Sequence, residues 1–163
     1  KGQFDETDVK LREIIEKLPM DNVAVNDVLD VMAILIGFRH NQEEFVEFTK
    51  VQLNIQQNKR TEALEKLEAL FDTNEIYIAD MCRFQHAWLT FLQGDVELTK
   101  MQLSKIKNET IFKELAHIFQ AEILDFIDKD ILNAIDSYLY FLELYPQSIY
   151  YDDIRLRLRE LAS

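Results

Sequence analysis

The residues of this chain best suited to chemistry are few. Glu114-Leu115-Ala116-His117 sets a carboxylate and an imidazole three residues apart, on one face of a helix. A di-iron carboxylate bundle needs two such pairs and two further carboxylates. Only one pair exists, because Arg83 stands three before His86 and Gly37 three before His40. Cys82 and His86, four apart, can share a metal ion, yet two ligands do not complete a zinc site. A buried thiol and a half-buried imidazole are the more ordinary reading. There is no Gly-rich phosphate loop, no nucleophile elbow and no Cys/His/Asn set on a plausible scaffold. The reading is therefore no catalytic residue, no metal site and no cofactor. A metal-binding or enzymatic helical domain is kept as a remote alternative.

A second set of residues bears on binding. Phe84, Ala87, Trp88 and Phe91 form an aromatic stripe at helical spacing. It reads either as an exposed peptide-gripping patch or as core. Its counterparts are Phe48, Val51, Gln52 and Ile55 one unit earlier, and Phe119, Glu122, Ile123 and Phe126 one unit later. Recurring apolar residues of this kind favour core, with Gln52 and Glu122 at a wet edge. One residue over lie Thr49, Leu53 and Gln56, then Cys82, Gln85, Leu89 and Gln93, then His117, Gln120, Leu124 and Asp128. Leu53, Leu89 and Leu124 read as contacts between units. Thr49, Gln56, Cys82, Gln85, Gln93, His117, Gln120 and Asp128 make an amide-rich strip. It is either a plain solvated face or a partner groove, since amides pair with an extended backbone as donor and acceptor together.

The elements that position these residues come from an internal repeat of about 35 residues. Asn58-Lys59, Gly94-Asp95 and Lys129-Asp130 each open a short polar turn leading to a small residue: Ala63, Thr99 and Ala134. From there Ala63/Leu67/Leu70, Thr99/Leu103/Ile106 and Ala134/Tyr138/Phe141 repeat one pattern. A fixed period of this size signals stacked two-helix units, each too small to bury its apolar face alone. Three Gly, two Pro and no alternating β-branched runs argue for an all-helical chain. About nine helices are expected: Glu6–Leu18, Val25–Phe38, Asn41 (with Glu44, a capping box) to Gln57, Arg60–Phe71, Glu75–Gln93, Val96–Lys107, Ile111–Asp128, Ile131–Leu144 and Ile149–Leu161. The second, apolar nearly all round, should be buried on most sides but has no obvious mate. The first reads as the second half of a preceding unit. The expected structural core is Phe48, Ile55, Ala63, Leu67, Phe84, Trp88, Phe91, Leu103, Phe119, Ile123, Phe126, Ala134, Tyr138 and Pro146.

The formal net charge is −12, of which residues 1–80 carry about −8 and residues 81–163 about −4. Phosphate backbones are repelled by such a chain, which disfavours nucleic acid. Of Arg155, Arg157 and Arg159, the outer two share a helical face and Arg157 points away; the run reads as a solvated turn complementing the helix dipole. A single Cys excludes an internal disulfide. No apolar run approaches the ~20 residues of a membrane span. The chain starts at Lys1 rather than Met, which reads as a piece of something longer.

These units resemble the tetratricopeptide repeat. Gly94-Asp95, Thr99 and Leu103 match the family's turn and second helix; Ala134, Tyr138 and Pro146 match the second helix and its stop; Asn58, Ala63 and Leu67 are a weaker copy with Asn for Gly. The first helices depart, their bulky positions falling one residue late. The resemblance covers about residues 42–146. It implies one helical domain over 1–163, an α-α superhelix with repeats at about 42–73, 75–109 and 110–146 and flanking helices at 5–40 and 149–162. The tail from Phe141 through Tyr145-Pro146 to Arg157, and Lys17-Leu18-Pro19, are similar to long repeat proteins of the Gram-negative envelope, implying a periplasmic or envelope setting. The family binds proteins and is not catalytic. The expectation is thus a scaffold presenting a groove to a protein or peptide, with neighbouring repeats of a longer chain as further partners and a dimer through an exposed end as another possibility. The alternative is a C-terminal capping segment with no partner of its own.

Overall fold

The computed structural model describes residues 2–19, 22 and 24–162. Lys1, Met20, Asp21, Val23 and Ser163, which the expected flank and domain limits include, lie outside the described residues. The protein is all-helical, with no strand among the described residues. Its elements are α1 (Gly2–Lys17), α2 (Ala24–Gly37), α3 (Gln42–Gln56), α4 (Arg60–Glu68), α5 (Ile76–Leu92), α6 (Val96–Ser104), α7 (Ile111–Glu122), a π-helical turn (Ile123–Asp128), α8 (Ile131–Leu144) and α9 (Tyr151–Leu161). Backbone packing groups them into two compact units, residues 1–79 and 80–163, with the start of α5 in the first and the rest in the second.

In the first unit α1 packs on α2 and α3 on α4. The second helix therefore does have a mate, α1. Burial of α2 on most sides does not hold. Only Met32 of its residues is buried, while Leu29, Val31 and Ile36 are exposed. An apolar sequence shows what a helix would bury; neighbours decide what it can. The interior centres on Phe38, whose ring lies 5.7 Å from Phe45 and 5.2 Å from Phe48. Asn41 caps α3 by accepting from the Glu44 amide at 3.1 Å. The reciprocal half of the box is absent: the Glu44 carboxylate instead accepts from the Thr73 hydroxyl.

In the second unit the packed apolar residues fall into two clusters. One joins Ala87, Leu103, Ile106, Ala116, Phe119 and Ile123 from α5 to the π turn. The other joins Ala121, Ala134, Tyr138, Phe141 and Ile154, with α9 closing it. Buried Asp80 ties α5 to the α6–α7 loop, accepting from Asn108 Nδ2 at 3.0 Å and Thr110 Oγ1 at 2.9 Å.

The hairpin turns explain the period. Asn58, Gly94 and Lys129 all take the left-handed conformation, with φ of 58°, 84° and 58°. In the first two, the residue after the turn donates its amide five back: Lys59 to Asn54 at 2.8 Å and Asp95 to Thr90 at 3.0 Å. The turn residue donates three back, Asn58 to Ile55 and Gly94 to Phe91, which completes the Schellman pattern. In the third, Asp130 reaches six back, to Leu124 at 2.9 Å. The π turn has inserted one residue into the first helix of that hairpin.

The insertion corrects the alignment of the stripe. Val51 and Ala87 are fully buried, as are Ala63 and Thr99 on the helices that follow them. In the third hairpin the fully buried residue opposite Ala134 is Ala121, not Glu122. Trp88 thus corresponds to Glu122 rather than to Ile123. Ile123 is buried, Gln52 is half-buried, and Trp88 and Glu122 are exposed. Three of the residues assigned to the core leave it: Trp88 and Phe126 are each 48% exposed, and Pro146 is exposed as well. A small residue takes the tight crossing, and the ring beside it is too large to be enclosed by two layers of helix. Pro146 lies exposed after α8, as a helix stop does. Phe48, Ala63, Leu67, Leu103, Phe119, Ile123, Ala134 and Tyr138 are buried; Ile55, Phe84 and Phe91 are half-buried.

Candidate functional site

Within the second unit the amide-rich strip is interrupted. Cys82 and Leu89 are buried, so neither lines a surface. Thr49 and Gln56 of the first unit are exposed, with the Thr49 hydroxyl donating to the Val46 carbonyl at 2.7 Å. In the second unit Gln93 is exposed and Gln85 and Gln120 are half-buried. Asp128 is taken up by Lys100 at 2.7 Å. His117 sits half-buried against Tyr140 and Tyr145, ring centroids 5.9 and 5.6 Å away. Burial first, and the nearby Lys113 cation second, hold its imidazole below the usual histidine range.

What α5 turns outward is apolar. Trp88 and Leu92, one helical turn apart, are 48% and 45% exposed. Trp88 stacks on Phe91 at 6.1 Å and lies 5.6 Å from Phe119, whose ring meets Phe91 edge-on at 5.2 Å. Phe84 continues the row inward toward Phe119 and Phe112. Aromatic pairs in such offset and edge geometries contribute about 0.5–1.5 kcal/mol beyond their area, so the exposed ring is held on a rigid base. Beside it Phe91, Phe119, Glu122, Ile123, Phe126 and Ile127 line a cavity of about 140 Å³. Phe126 and Ile127 at its mouth are half-exposed.

The π turn builds this cavity from below. It carries Asp125 inward, where the carboxylate is 1% exposed. Arg157 of α9 grips it with Nε at 2.7 Å and Nη2 at 2.9 Å, and the Tyr138 hydroxyl donates at 3.2 Å. The Arg157 bonds hold Asp125 below the usual carboxylate range despite its burial. Burial, with Asp125 beside it, pushes the Tyr138 phenol up. Arg157 also lies 4.7 Å from the centre of the Phe126 ring and bonds Glu160 at 2.9 Å. Arg157 is therefore an anchor and not part of a solvated run; Arg155 and Arg159 are exposed. The sequence carried a signal for this pair. Asp125 interrupts the apolar run Ile123-Leu124-Phe126-Ile127, and Arg157 stands on the side of α9 that carries Ile154, Leu158 and Leu161.

Nothing here assembles a reaction centre from the sequence candidates. Glu114 accepts from the Ser148 hydroxyl, while His117 lies among tyrosine rings. Among the described residues no group of three or more His, Cys, Asp or Glu is placed to hold a metal ion. No helix among them is long and apolar enough to cross a membrane. Compared with protein-family models, curated proteins and solved structures, the chain matches none.

Proposed function

We propose that this chain is a non-catalytic protein-interaction module, built of helical hairpins akin to the tetratricopeptide repeat, that receives a polypeptide segment on the outer face of α5, α7 and the π turn. The observation that supports it most is a side-chain-sized cavity lined by half-exposed Phe126 and Ile127, with half-exposed Trp88 packed on two of its other lining residues, Phe91 and Phe119. Exposed apolar residues clustered on a rigid aromatic base, rather than scattered, mark contact surfaces, and Trp is the residue most enriched among binding hot spots. The mechanism is surface complementarity, with no bond made or broken.

The test is selection of randomised 12-residue peptides displayed on phage against the folded protein, repeated with the Trp88→Ala/Ile127→Ser variant. The expected result is recovery of peptides that bind the wild type and lose at least tenfold in affinity on the variant. Recovery of no peptide, or equal binding to both proteins, overturns the reading.

A second reading is favoured by α9. Its inner side closes the second core cluster through Ile154, while Asp152, Asp153, Arg155, Arg159 and Glu160 face solvent together with a single apolar residue, Leu156. A polar outer face is what a terminal cap of a repeat stack needs. On this reading the segment ends a longer stack and binds nothing itself.

A further inference from the structure

Among the six side chains that line the cavity, one ionises: Glu122. It makes no hydrogen bond or ion pair among the described residues. Cations nearby are committed elsewhere. Lys100 pairs with Asp128 at 2.7 Å and Glu97 at 3.1 Å, and Arg157 with Asp125 and Glu160. Lys129 stands over Phe126, 6.0 Å from its centroid. The charge that bears on Glu122 is another carboxylate, Asp125; burial first and that like charge second push the Glu122 carboxyl above its usual range. Glu122 is open to solvent on one side, and on its cavity side no counter-ion offsets the partial burial of its charge. Glu122 thus occupies a place where its charge does nothing for the fold.

The rings around it suit a cation. Phe126 already meets the guanidinium of Arg157 on one side, and such ring-face contacts strengthen where water is excluded. The cavity, about 140 Å³, has room for about five waters' worth of liquid, which is the scale of one long side chain. Arg and Lys have the matching anatomy, an apolar stem ending in a charge. The surrounding chain helps: its net charge of −12 draws basic partners from a distance.

We propose that this cavity is the receptor for a basic side chain of a partner polypeptide, an Arg or Lys whose stem lies between Phe91, Phe119 and Phe126 and whose cation pairs with Glu122. The inference rests on the reading of this face as a peptide-binding surface, and adds the partner's chemistry: a basic segment whose other residues cover Trp88 and Ile127. Glu122 supplies the charge, the phenylalanines the walls, and the π turn completes the lining with Ile123, Phe126 and Ile127.

Peptides recovered in the phage selection give the first readout, with enrichment of Arg and Lys over the starting library expected. Each is then resynthesised and titrated against the full chain, using fluorescence of Trp88, the single tryptophan. Affinity is expected to fall at least tenfold on Glu122→Gln, to weaken as salt rises, and to shift toward acidic peptides on Glu122→Lys. Glu122→Gln removes an unpaired acid, so its melting temperature should equal or exceed the wild type's, and lost binding is then not lost structure. Peptides without basic enrichment, or bound equally by Glu122→Gln, overturn this inference and leave the peptide-binding reading intact. Recovery of no peptide at all overturns both.

Discussion

The three left-handed turns make a prediction that separates backbone strain from everything else a side chain does. Lys129 and Gly94 have φ of 58° and 84°. An L-residue in this region pays roughly 1–2 kcal/mol for the approach of its Cβ to the backbone. Glycine escapes that and loses about 0.5–1 kcal/mol more chain entropy on folding. The net preference for Gly over Ala at a left-handed position is therefore about 1 kcal/mol. Lys129 also lies over Phe126, so Lys129→Gly alone confounds two effects. The informative quantity is the difference between Lys129→Gly and Lys129→Ala, since both remove the cation. Gly should exceed Ala in stability by about 1 kcal/mol at 129 and again at 94. At Arg155, an exposed position inside α9, Gly should fall below Ala by about 1 kcal/mol. The assay is urea unfolding followed by far-ultraviolet dichroism, with the slope held common within each pair. Ala more stable than Gly at 129 would mean that the turn is not the one described, and the equivalence of the three hairpins would fail with it.

Further outcomes follow from the corrected register and from the buried charges. Ala121→Leu should destabilise by about 1–3 kcal/mol through overpacking against Ala134, whereas Glu122→Leu should be tolerated; thermal melts that reverse this order would restore the unshifted alignment. Asp125→Asn should lower the melting temperature at pH 7 and converge with the wild type in acid. Its folded carboxyl is held low, so the stability it supplies is complete above about pH 3.9 and is lost as pH falls through the folded value. For His117, whose folded imidazole is held low, the unfolded chain takes up the proton first, and stability should drop as pH falls below about 6.5. His117→Phe should flatten that part of the melting-temperature profile, and an unchanged slope would remove the imidazole from the account.

The legible part of this fold was local. Gly94-Asp95, the small residues Ala63, Thr99 and Ala134, and Pro146 are punctuation that acts over one turn of chain, and helix limits read from them lie within a few residues of those in the structure. The all-helical class follows from the same signals. The π turn was not legible, because one inserted residue leaves Phe119, Ile123 and Phe126 still at plausible helical spacing. That single step is what paired Trp88 with buried Ile123 instead of exposed Glu122 and hid Ala121 as the counterpart of Ala87. Cys82 was misplaced for a related reason: position on a helical wheel says which residues share a face, not which face meets another helix. The bond between Asp125 and Arg157 spans 32 residues, a distance at which sequence pattern offers each partner but not the pairing. Exposure of Leu29, Val31 and Ile36 on α2 is likewise a fact about neighbours.

The most direct measurement is quenching of the lone tryptophan by acrylamide in the full chain. With Trp88 half-exposed and packed on the cavity-lining rings of Phe91 and Phe119, quenching should proceed at a sizeable fraction of the rate for free tryptophan, and should fall when a selected basic peptide is bound. A Trp88 that resists quenching in the unbound protein, or whose quenching is indifferent to every bound peptide, would contradict the account.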